Sequence, residues 1–129
     1  MTTEPTYEEA AKAYIAYAHD QSMDHFWAVE GATTLAMEAK WDDLWRFVLI
    51  LIEQADFDDT QALALIAAGP LEDLVRYAID EVEPRIVERV KADAKFRRVL
   101  TGVWARKERA DFWYRITPLL YEYPTQPLT

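Results

Sequence analysis

Chemistry in this chain has a short list of donors: His19 and His25, the single serine Ser22, and the adjacent acid pairs Glu8-Glu9, Asp42-Asp43, Asp58-Asp59 and Glu72-Asp73. Imidazole beside Asp20, Asp24 and Glu30 has the donor types for zinc or another divalent ion. His19 and His25, however, stand six apart across an expected helix break, a spacing that no common metal motif uses. They read as solvent-facing turn residues, and no metal and no cofactor is expected. Ser22 lies in the same turn without the tight strand–helix elbow of a serine nucleophile. A Ser22–His25 dyad therefore has little support, and no residue is assigned a catalytic role. Neighbouring acids on a helix diverge by about 100° and are mostly solvated. A carboxylate pair acting together, as in a glycosidase, needs a cleft that the sequence does not reveal.

The acids at 72 and 73 differ from the rest because they follow Gly69-Pro70 and precede Arg76. In a helix opened by Pro70 they fall in the first turn, where carboxylates meet free backbone N–H groups and complement the helix dipole. The structural reading stops there. The functional reading makes Glu72, Asp73 and Arg76 an exposed polar site beside a conformationally fixed corner.

Ten bases against four acids between Arg85 and Arg115 give that segment +6, although the whole chain carries −9 and residues 1–64 alone carry −10. A net charge of that sign argues against nucleic acid as the main partner. The basic side chains from Arg85 to Arg109, interleaved with Phe96 and Trp104, are expected to face solvent while the aromatics turn inward. Acidic and basic faces can attract within the fold, or they can steer a charged protein partner. Absence of cysteine removes disulfides, Cys–zinc sites and thiol catalysis. With three glycines, a Gly-rich sandwich, a P-loop and a Rossmann site also drop out. No signal-peptide pattern opens the sequence and no long apolar run follows, so the expected setting is the cytoplasm, with no membrane partner.

These residues must be carried by helices. Trp41, Leu44, Trp45, Val48, Leu51, Ile52 and Ala55 recur at three- and four-residue spacing, with Phe47, Leu49 and Ile50 on the flanks. A helix so apolar belongs inside a domain, sheathed by others. Before it, Thr6 and Glu9 form a capping box for a first helix. A second helix is expected over 24–39, carrying Phe26, Trp27, Leu35 and Ala36 inward. Gly31 in its middle costs about 1 kcal/mol against alanine and suggests a close helix crossing. Asp58 and Gln61 offer another capping box. Gly69 suits the position past a helix end, Pro84 the start of a later helix, and Asp93 the cap of the next. A last helix is expected over 106–116, with Pro118, Pro124 and Pro127 keeping the tail extended.

The expected fold is all-α: a compact irregular array of seven to eight short helices around the buried helix 41–55. It forms a single domain over 1–129, with a loose N-terminus at 1–5 and an extended Pro-rich tail at 117–129.

The segment Ala68-Gly69-Pro70-Leu71-Glu72-Asp73-Leu74, the tryptophan-bearing helix 41–55 and the run Phe96-Arg97-Arg98-Val99-Leu100-Thr101-Gly102-Val103-Trp104 together resemble a family of small bacterial proteins catalogued only as a domain of unknown function. The resemblance covers roughly residues 26–104 and implies no activity, cofactor or catalytic residue.

The functional expectation is thus a non-catalytic helical protein that binds another protein: an inhibitor, an immunity protein against a basic toxin, or a regulatory adaptor. A homodimer is a further reading of the same surface. Glu72, Asp73, Arg76 and Trp27 are the binding candidates, Trp27 because aromatics anchor interfaces. The alternative is an enzyme or small-molecule binder with a polar pocket around Glu72, Asp73 and Arg76.

Overall fold

The computed structural model describes residues 4–128; Met1–Thr3 of the expected loose N-terminus, and Thr129, lie outside them. Helices follow one another as α1 (Tyr7–Asp20), α2 (Met23–Met37), α3 (Trp41–Gln54), α4 (Thr60–Ile66), α5 (Glu72–Tyr77), α6 (Ile79–Ala92), α7 (Ala94–Leu100) and α8 (Ala110–Glu122). A π-type turn, Ala67–Leu71, fuses α4 to α5, and a 3-10 turn, Lys107–Arg109, leads into α8. No strand occurs among the described residues, so the fold is all-α.

The centre is α3. Leu44, Phe47, Val48, Leu51 and Ile52 are buried, and Trp45 keeps only 8% of its surface. α1, α2, α4, α5 and α7 all pack on this helix. Tyr14 meets Phe47 edge-on at 6.1 Å, and Trp45 meets Phe96 of α7 at 5.8 Å. Aromatic edges on aromatic faces add to the area that they bury. Trp41 departs from the expected stripe. At the first position of α3 it is half-buried, facing an open groove, and its ring lies against Tyr77.

Local signals placed most boundaries, with informative exceptions. The Thr6–Glu9 capping box is present, and Asp93 accepts from Lys95 and Phe96 at the start of α7. Asp59, not Asp58, caps α4 by accepting from the N–H of Ala62. Pro84 and Pro118 lie inside α6 and α8 rather than at their ends. α8 therefore runs on to Glu122, and the extended part of the tail begins only at Tyr123. A proline removes one helical hydrogen bond, and packing of Val82, Ile86, Phe112 and Ile116 outweighs that loss. α2 buries Ala28 and Ala32; Phe26, Leu35 and Ala36 are half-buried, and Trp27 stays 42% exposed. A Cβ on Gly31 would meet nothing within 4 Å, so no helix crosses there.

Part of the basic segment is turned inward, while Lys91 and Lys107 face solvent as expected and Trp104, expected inside, is 71% exposed. Lys95 donates to the carbonyls of Glu53 and Ala55 at the end of α3, 3.2 and 2.6 Å away. Arg97 and Arg98, expected in solvent, are both buried. Arg97 donates to Val90 and Pro124 carbonyls at 2.7 and 3.1 Å. Arg98 reaches Phe57, Gln126 and Pro127 carbonyls at 3.1, 3.1 and 2.8 Å. Their guanidinium groups also lie over the rings of Tyr123 and Phe57. The C-terminal strap is thereby bound to its own domain, and Leu128 seats on Gly102, where a Cβ would come within 2.5 Å of it. Main-chain carbonyls are the acceptors throughout, which is how a buried guanidinium avoids an unmet desolvation cost.

Candidate functional site

The corner at Gly69 sets the geometry. Tyr14, buried in the core, donates its hydroxyl to the Leu65 carbonyl at 2.8 Å. Burial, and secondarily the charge of Asp73, pushes its phenol well above the usual range, so it remains a donor. A Cβ on Gly69 would stand 2.8 Å from that oxygen, so the corner requires the missing side chain for close approach. Gly69 adopts φ −108° and ψ −105°, outside the helical region, while Ala67, Pro70 and Leu71 are buried. The expected helix end is thus a kink, held at negative φ rather than in the left-handed region.

Beyond the kink, Glu72 and Asp73 part company. Neither makes a side-chain cap to α5. Glu72 turns toward Arg106, 3.8 Å away. Asp73 faces the other side and has no ion pair or hydrogen bond among the described residues. Burial raises its carboxyl above the usual carboxylate range; Glu72 adds to the rise and Arg76 opposes it.

Asp73 lines a groove of about 600 Å³ between the end of α2, the start of α3 and α5. Thr33, Ala36 and Met37 form one wall, and Trp41 and Tyr77 the other. The two rings are 6.5 Å apart between centroids and inclined by only 16°. Met37 is 82% exposed and Tyr77 55%. Ala39, at the groove's edge, has φ +55°. The Lys40 N–H returns to the Leu35 carbonyl, so Ala39 is the left-handed residue that closes α2, at a cost of about 1–2 kcal/mol for an alanine. The guanidinium of Arg76 covers Tyr77 at 4.9 Å, while its carbonyl accepts from Arg109.

Of the four binding candidates, the structure gathers Asp73 and Arg76 around Tyr77, points Glu72 away, and sets Trp27 elsewhere. Trp27 borders a separate apolar groove of about 290 Å³ with Tyr7, Gly31, Leu35 and Phe47. A larger hollow beside Trp113 and Tyr114 on α8 contains no acid, and its Arg106 is committed to Glu72 and the Trp104 ring. Trp41, Tyr77, Met37 and Ala39 are groove residues that sequence reasoning did not select. One signal was available: Tyr77 is four residues after Asp73, so both share a face of α5.

The histidine turn is structural in its contacts. His19 bridges α1 to α4 through Asp59 at 2.8 Å and Gln61 at 2.9 Å, occupying both ring nitrogens. Those bonds, Asp59 first, raise its pKa. The Ser22 hydroxyl accepts from Asp24 at the start of α2. No group of three or more possible metal-ligating side chains occurs among the described residues, and no described helix is long and apolar enough to cross a membrane.

Among known proteins, the sequence model of a family described as a family of unknown function (DUF6869) matches residues 16–122, from the middle of α1 to the end of α8. No curated protein and no solved structure matches the chain.

Proposed function

The chain belongs to DUF6869, a family of unknown function, and we propose that it is a non-catalytic module that binds another protein through the groove between α2, α3 and α5. One observation carries this reading: a half-buried carboxylate with no ion pair among the described residues, Asp73, lies in a groove with exposed Met37 and Tyr77 and half-buried Trp41. Withdrawing a charge from water costs free energy unless something pairs with it. Among the described residues Asp73 has no ion pair, and only the nearby charge of Arg76 opposes the cost, so its position is suited to a contact made from outside. Exposed Met37 and Tyr77 add adaptable and rigid apolar surface, the composition of interface anchors. An inhibitor, an immunity-like protein and a regulatory adaptor would each use such a surface.

A photo-cross-linking residue at position 37, expressed in the source organism, tests this. Discrete adducts are expected at Met37, absent when the cross-linker replaces the equally exposed Tyr121 on α8 and lost in Asp73→Asn. Adducts that are absent at position 37, or indifferent to Asp73, would refute the proposal.

A further inference from the structure

We propose that the groove receives an arginine side chain of the partner protein, its guanidinium against the Asp73 carboxylate and its plane along the Trp41–Tyr77 rings. The inference rests on the groove being a protein-docking surface and adds the chemistry of its anchor.

Charge complementarity comes first. Glu72 is engaged with Arg106 and Asp42 with Arg85, whereas Asp73 has no cation within ion-pair distance among the described residues. The acidic half of the chain, −10 over residues 1–64, supplies α2 and α3, two of the three helices that frame the groove.

Shape favours a planar cation. Tyr77 already carries the guanidinium of Arg76 at 4.9 Å, an internal demonstration that the ring is accessible to this group. Trp41 lies nearly parallel to Tyr77, and arginine stacks on aromatic faces while offering two parallel N–H donors to a carboxylate. Ala36 and Met37 flank the site and would cover the three methylenes of the arginine stem. An ammonium fits the charge but not the stack.

Nuclear magnetic resonance on the full ¹⁵N-labelled chain tests the proposal, with the blocked peptide Gly-Leu-Arg-Leu-Gly at up to millimolar concentration. Its citrulline version is isosteric and neutral, and its lysine version keeps charge without planarity. The arginine peptide is expected to shift Met37, Asp73, Tyr77 and the Trp41 indole, and to bind about tenfold tighter than the citrulline peptide. Asp73→Asn should erase that preference with the spectrum otherwise intact, and Arg76→Ala, by removing the internal competitor, should tighten binding severalfold. Equal binding of the citrulline peptide would overturn the cation anchor yet leave an apolar docking groove. Equal binding of the lysine peptide would overturn the assignment to arginine. No shift at these residues with any of the peptides would overturn both the anchor and the docking reading.

Discussion

Two charged regions of this molecule are handled in opposite ways. Around α7 the guanidinium groups of Arg97 and Arg98 are buried and committed to main-chain carbonyls, closed over by the strap 124–128. In the groove beside α5 the Asp73 carboxylate is half-buried and committed to nothing described. Charge serves cohesion in the first region and stands without an ion pair among the described residues in the second. Sequence density misleads here: the conspicuous basic run supplies internal bracing through Arg97 and Arg98, while Asp73, one acid among many, is the one that lines the aromatic groove.

Substitutions should separate the regions by size and by sign. Arg98→Ala strips three carbonyls of their donor and loosens the strap. We expect a loss of about 3 kcal/mol in denaturant-induced unfolding, with the groove's peptide affinity unchanged. A loss below about 1 kcal/mol would mean that the strap is not braced as described.

Gly69→Ala tests the corner that aims Asp73. The added methyl would press on the Tyr14 hydroxyl, costing about 1–3 kcal/mol. Tyr14→Phe alone should cost about 1 kcal/mol through the hydrogen bond to Leu65. Because the second change removes the obstructing oxygen, the double variant should be more stable than additivity predicts. Strict additivity would show that the contact does not determine the kink.

Ala39→Gly should act in the other direction. Relief of the left-handed strain, less the extra freedom gained by the unfolded chain, predicts stabilisation by about 0.5–1 kcal/mol. A destabilised variant would remove Ala39 from the strained groove edge.

The smallest change in stability is expected from Asp73→Asn, and its sign is diagnostic. A carboxyl raised by burial contributes relative stability that is complete below its unfolded pKa and is lost as pH rises through its higher folded pKa. At neutral pH the charged form therefore costs stability, and the asparagine variant should melt slightly higher, by up to about 2 °C after allowance for solvent screening. The advantage should vanish in acid. Weaker binding with an unreduced melting temperature would mark Asp73 as a binding residue, whereas a clear fall in melting temperature would return it to a structural role.

Much of the architecture could be read from local patterns. Apolar spacing identified α3 and its burial through Trp45 and Val48, because a helix with one wide greasy face can only be stable when covered. Thr6 and Asp93 marked helix starts because their oxygens satisfy backbone N–H groups a few residues away. These are short-range demands, written in neighbouring residues. Long-range packing decided the remainder. It carried α6 and α8 through Pro84 and Pro118, drew Arg97 and Arg98 inward to carbonyls 7–41 residues distant, and left Trp41 half-exposed. It also split Glu72 from Asp73: adjacent positions on a helix point about 100° apart, and only the kink at Gly69, fixed by Tyr14 from another helix, decides which of them meets Arg106 and which faces the aromatic groove.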